Sequence, residues 1–110
     1  MSELTQKKCV PCEGIGVALT KREATKLMSE IGNWTLADDG KSISKTFNFK
    51  NYTKTFAFAE KIAALAEAEG HHPDLFITWG HTTVQAWTHA LKGLTENDFI
   101  IAAKIDQLSR

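Results

Sequence analysis

The stretch His71-His72-Pro73-Asp74-Leu75-Phe76-Ile77-Thr78-Trp79-Gly80-His81-Thr82-Thr83-Val84-Gln85-Ala86-Trp87-Thr88-His89 decides how this chain is to be read. Two runs rich in β-branched and aromatic residues flank Trp79-Gly80-His81-Thr82, which is the composition of a β-hairpin. With Gly80 and His81 as a two-residue loop, Gly80 supplies the positive φ that a type II′ turn needs at its first position. His72 then faces His89, with Cβ atoms roughly 4.5–5.5 Å apart as in any directly opposed pair. The same register sets Leu75 against Ala86, Ile77 against Val84 and Trp79 against Thr82, an apolar face. The other face carries Asp74 with Trp87, Phe76 with Gln85 and Thr78 with Thr83, a mixture suited to a cleft or to solvent. A one-residue slip would mix the two faces, so turn chemistry and polarity favour one register. His81 reads as a turn residue, on the order of 26 Å along the strand from His89, and lies outside the pair.

Upstream, Asn51 caps a long helix in which Phe56, Ala59, Ala63 and Ala66, flanked by Thr55, Phe58, Ile62 and Leu65, form an apolar stripe. Gly70 stops it and delivers the chain to His71. Before it, Ser42 to Phe49 alternates Ile43, Lys45, Phe47 and Phe49 with polar residues, as a half-buried strand does. The stem of Lys45 covers apolar surface while its ammonium reaches water. Asn33-Trp34-Thr35-Leu36 is a shorter strand, joined to the first by a turn at Asp38-Asp39-Gly40. Thr20 and Glu23 form a capping box ahead of Ala24, Leu27, Met28 and Ile31, and Gly32 ends that helix. Downstream, Thr95 caps the last helix with Asp98 at its third position, and Leu94 and Phe99 staple its entry. The element order is α-β-β-α-β-β-α.

With 110 residues, 43% of them hydrophobic, the chain has material for one compact core. Residues 1–18 are expected to form a flexible N-terminal arm and 19–110 a single domain. Thirteen basic and thirteen acidic residues leave a formal net charge of zero, which argues against broad attraction to nucleic acid or anionic lipid. No apolar run has the length of a leader or a membrane span, so a cytoplasmic location is expected. There Cys9 and Cys12 of Cys9-Val10-Pro11-Cys12 would stay reduced. That CxxC leaves three readings open: a purely structural pair, a weak metal site completed from elsewhere, or a redox dithiol, although no strand precedes it.

His71-His72-Pro73 after Glu67, then Thr88-His89, then Gly93-Leu94-Thr95-x-x-Asp98 with Ala102-Ala103-Lys104-Ile105-Asp106, strongly resembles the pterin-4a-carbinolamine dehydratases over about Leu19 to Asp106. Trp79-Gly80, Trp87 and Asn97-Asp98-Phe99-Ile100 resemble the bacterial branch. Leu75 and Ala86 depart from it, standing where many members carry an aromatic and a larger aliphatic residue. The resemblance implies an α+β domain with three helices packed on one face of a four-stranded antiparallel sheet. It implies elimination of water from a 4a-hydroxytetrahydropterin to give quinonoid dihydropterin, in support of an aromatic amino acid hydroxylase. His71, His72 and His89 match the family's active-site histidines, and Glu67, Pro73, Asp98 and Trp34 match substrate-binding positions. The pterin is then the substrate, with no further cofactor and no metal expected, and a homodimer or homotetramer is implied.

Imidazole suits that chemistry, because its unperturbed pKa near 6.5 leaves both a proton donor and a proton acceptor populated at neutrality. Two other functions fit parts of the pattern. A protein-binding or dimerisation module would use an open sheet edge. A zinc hydrolase would gather His71, His72 and His89, against which stands the opposite orientation of neighbours in an extended strand.

Overall fold

A computed structural model describes residues 3–11 and 15–109. The caps act where the sequence places them. Thr20 and Glu23 form a complete capping box at the start of α1 (Lys21–Leu27), which runs on into one 3-10 turn, Met28–Glu30. Asn51 accepts the Lys54 amide at 2.9 Å and opens α2 (Tyr52–Glu69). Gly70 closes α2 in the left-handed conformation, φ 69°, a region open to glycine without a Cβ clash. The third helix, α3, spans Glu96–Leu108.

Four strands, β1 (Thr35–Leu36), β2 (Ile43–Asn48), β3 (Asp74–Ile77) and β4 (His81–Ala86), make one antiparallel sheet in the order β1-β2-β4-β3. Ile43, Phe47, Thr82, Val84 and Ala86 are buried on one face, against Phe58, Ile62 and Ala66 of α2 and the apolar side of α3. The architecture is the α+β arrangement expected, three helices with a four-stranded antiparallel sheet. In α2 the buried set is Thr55, Phe58, Ala59, Ile62 and Ala66, one helical stripe. Phe56 and Ala63, expected in it, face outward instead.

The hairpin register differs from the expected one by two residues. Leu75 pairs with Val84 and Ile77 with Thr82, so Trp79 and Gly80 form the loop and His81 is the first residue of β4. Neither loop residue has a positive φ, so the turn is not type II′. The reason lies outside the hairpin. The Gly80 carbonyl accepts the Phe49 amide at 2.8 Å and the Trp79 carbonyl accepts the Thr55 hydroxyl at 3.2 Å, which ties the loop to the end of β2 and the start of α2. Thr78 closes it, its Oγ1 accepting the His81 amide. A two-residue shift preserves the faces, so Leu75, Ile77, Thr82, Val84 and Ala86 keep the core side. Trp79, expected there, is 66% exposed in the loop.

Two further expectations are corrected. The Lys45 ammonium does not run to water but donates to the Asp106 carboxylate at 2.8 Å, lying 4.9 Å from the centroid of the Phe47 ring. The described part of the N-terminal arm is docked rather than loose. Leu4 is buried in the core, Cys9 donates its amide to Glu69, and Val10 and the Asn97 side chain exchange two hydrogen bonds, at 3.0 and 2.7 Å. Backbone polar groups of an irregular segment need partners, and here they are side chains of α2 and α3 far along the chain. Cys12 lies outside the described residues.

Candidate functional site

The C-terminus of α2 and the segment after β4 meet at one end of the sheet and enclose a cavity of about 230 Å³, lined by Gly70, His71, His72, Trp87, His89 and Ala90. Gly70 turns the chain out of the helix, so His71 and His72 follow with no intervening loop. His89 opens a 3-10 turn, His89–Leu91, that an antiparallel bridge between Thr88 and Gly93 closes off. His72 and His89 are not directly opposed strand residues, because β3 and β4 end at Asp74 and Ala86. They reach the same cavity from its two sides.

Two of the three histidines are hydrogen-bonded to a carboxylate, and the third lies near one. Nε2 of His71 lies 2.6 Å from Oδ1 of Asp98, and both side chains are almost wholly buried. Oδ2 of Asp98 accepts the Thr88 hydroxyl at 2.8 Å and the Thr95 amide at 3.0 Å, and the Thr88 and Thr95 hydroxyls are themselves 2.9 Å apart. Asp98 thus satisfies the N-terminus of α3 and orients an imidazole with separate oxygens. A neutral His71 that donates from Nε2 to this carboxylate keeps Nδ1 as its acceptor. Nε2 of His72 lies 2.6 Å from Oε2 of Glu67, one turn back on α2. Both partners are exposed, so the pair orients the ring more than it stabilises the fold. Nε2 of His89 lies 3.8 Å from Oδ1 of Asp74, and its ring packs 4.1 Å from that of Trp87. The Trp87 indole N–H donates to Oδ2 of Asp74 at 2.8 Å.

Of the residues singled out in the sequence, His71, His72 and His89 line the cavity, Glu67 and Asp98 hold two of them, and Pro73 sits between His72 and Asp74. Trp34 is not brought there. It is buried against Phe47, and its indole N–H donates to the Asp106 carboxylate, which also accepts the Lys45 ammonium. An aromatic with a polar edge has found its partner inside the core. Asp74, Trp87, Thr88 and Thr95 belong to the site although the sequence reading did not count them among its site residues. For Asp74 and Trp87 the signal was present, since they share a face of the hairpin and connect diagonally across the actual register. Among the described residues, no three His, Cys, Asp or Glu side chains are placed to hold a metal ion, and no helix is long and apolar enough to cross a membrane.

The comparisons with known proteins bear on the family and the fold. The family model described as Pterin 4 alpha carbinolamine dehydratase matches residues 17–108. A relative from Rickettsia bellii, named provisionally as a pterin-4-alpha-carbinolamine dehydratase, is 50% identical over 105 residues, covering 96% of this chain and 93% of its own. A crystal structure of a transcriptional coactivator/pterin dehydratase from Brucella melitensis superposes with a TM-score of 0.78 at 29% identity, over 84% of this chain and 99% of the other. A pterin dehydratase-like protein described as a RuBisCO assembly factor in the alpha-carboxysome gives 0.61 at 26% identity, over 71% and 90%. A match across nearly all of the domain, together with half-identical relatives of the same length, makes this chain a member of the pterin-4a-carbinolamine dehydratase family.

Proposed function

We propose that this protein is a hydro-lyase acting on 4a-hydroxytetrahydropterin, a 4a-hydroxytetrahydrobiopterin dehydratase. The observation that carries the reading is three imidazoles around one cavity, two of them hydrogen-bonded to carboxylates and the third 3.8 Å from one. In the reaction the C4a hydroxyl takes a proton and its C–O bond breaks to release water. N5 loses its proton, and the freed electron pair forms the C4a=N5 bond of the quinonoid product. One donor and one acceptor suffice, so His71, His72 and His89 provide the acid and the base with the pterin as sole organic partner. His72 and His89 are exposed enough to exchange protons with solvent between turnovers, whereas His71 is buried and held by Asp98.

Replacing His72 by Ala is expected to slow dehydration by roughly 10²-fold or more, the usual size of an acid–base contribution. Stopped-flow loss of the carbinolamine absorbance measures it, and undiminished turnover in a folded variant sinks the assignment. In the cytoplasm the quinonoid product would pass to a reductase that returns it to tetrahydropterin for an aromatic amino acid hydroxylase, with the protein working as a homodimer or homotetramer.

A binding module without turnover is the second reading. The observation that favours it is Phe76, 59% exposed on the edge strand β3, where apolar surface and unpaired backbone groups lie together. Replacing Phe76 by Ser separates the two: loss of an oligomer with turnover intact places the face in assembly, and a stable complex in a protein that never dehydrates pterin supports the module.

A further inference from the structure

Beside the histidine cavity lies a second one, of about 410 Å³, and the two share Trp87 and His89 as a common wall. Its far rim is formed by Lys41 and Ser42, from the turn between β1 and β2, and by Lys92, just after the 3-10 turn that carries His89. Asp39 and Asp74 also line it, but both are engaged within the protein. Asp39 accepts the Lys41 amide at 2.9 Å, and Asp74 accepts the Trp87 indole and faces His89. Among the described residues, neither the Lys41 nor the Lys92 ammonium has a carboxylate partner.

Lys92 also occupies an unfavourable conformation. At φ 51° and ψ 47° it is the sole non-glycine residue with positive φ among those described. A lysine there has a Cβ close to its own carbonyl, which glycine would avoid. The turn's own backbone holds it there, the Lys92 amide donating to the His89 carbonyl at 3.2 Å and Thr88 bridging to Gly93, and this places Lys92 on the lining of a cavity that shares His89 with the proton-transfer site.

We propose that Lys41 and Lys92 form an anion subsite that selects pterins whose ring substituent ends in a negatively charged group, a phosphate monoester or a carboxylate. This deepens the dehydratase reading and rests on it: the ring occupies the histidine cavity, and its substituent passes Trp87 and His89 into the second one. Lys41 and Lys92, neither with a carboxylate partner, both line this cavity and can meet an anion in it, and Ser42 and Gln85 on the wall can hydrogen-bond an uncharged linker.

The test compares equilibrium binding of 6-hydroxymethyl-7,8-dihydropterin, its phosphate monoester and dihydrofolate to the full chain and to the Lys41→Ala, Lys92→Gly double variant. The phosphate ester is expected to bind on the order of tenfold more tightly than the alcohol, with that ratio falling to about one in the variant. A lysine-dependent gain for dihydrofolate alone assigns the anion to a carboxylate tail. Equal affinities in the unaltered chain, or a preference that survives in the variant, overturn the subsite. If no pterin binds, the reading of the histidine cavity fails separately, and the subsite is judged on inorganic phosphate, titrated against the Trp87 indole NMR signal. A phosphate-induced shift lost in the variant then supports it, and no shift overturns it. The single variant Lys92→Gly provides a readout that a structural lysine would not: it is expected to raise the thermal midpoint by relieving the backbone while lowering the anion preference.

Discussion

Oδ2 of Asp98 accepts the Thr95 amide and the Thr88 hydroxyl, while Oδ1 lies 2.6 Å from Nε2 of His71. In Asp98→Asn the amide oxygen can still serve Thr95, but the NH₂ group then confronts the imidazole N–H, donor against donor. The ring must change tautomer or leave a buried donor unmatched, at a cost of about 1–3 kcal/mol. Urea unfolding is expected to show that loss. Dehydration is expected to fall on the order of 10²-fold or more, as when an imidazole is locked in the wrong tautomer in hydrolytic triads. A variant with full turnover would remove His71 from the chemistry. Cys9 illustrates burial acting on a single group. Its thiol is pushed up to about 12 by burial first and by the nearby Glu69 carboxylate second. The fold therefore retains a proton that the unfolded chain loses above its ordinary value of 9.0, and stability contributed by this thiol declines as pH rises beyond that value. At neutral pH, alkylation at Cys9, followed by peptide mass mapping, is expected only after unfolding.

The hand-over from α2 to the histidines depends on how a helix ends. Gly70 stands at φ 69° with open space where a Cβ would be, so Gly70→Ala meets no neighbour and the cost is conformational alone, about 1–2 kcal/mol. Thermal unfolding should show it. A shift of the His71 and His72 ring signals by NMR would report that the helix end sets the cavity, and unchanged signals would contradict that coupling. The hairpin makes a related point. Its faces follow from alternation, but its pairing is set by Phe49 and Thr55 gripping the loop carbonyls from outside.

Across the molecule, the N-terminal arm ties α2 and α3 together beneath the cavity. Glu69 is the junction: it accepts the Cys9 amide at 2.9 Å and the Lys104 ammonium at 2.6 Å. Burial pushes its carboxyl upward, but the Cys9 amide and Lys104 outweigh it, and the net pKa lies below the ordinary value of 4.5. A carboxyl lowered in the fold stabilises fully above its unfolded value and loses that contribution as pH falls through the lowered one. Glu69→Gln is therefore expected to reduce stability at neutral pH and to flatten the acid limb of a thermal midpoint profile below pH 4.5. A parallel shift of the whole profile would show that the carboxylate charge is not what matters.

Element order, caps and the core face of the hairpin were legible in the chain itself, because helical and strand periodicities, Thr20, Asn51, Thr95 and Gly70 act through neighbours a few residues away. The hairpin logic brings His72 and His89 together, and they do line one cavity, but from outside the paired strands: His72 follows the end of α2 and His89 opens a 3-10 turn. Trp34, Lys45, the arm and the loop of the hairpin could not be read that way. Their polar groups are satisfied by Asp106, Glu69, Asn97, Phe49 and Thr55, in most cases tens of residues distant. Buried donors and acceptors must find partners wherever packing supplies them, so those choices belong to the folded chain.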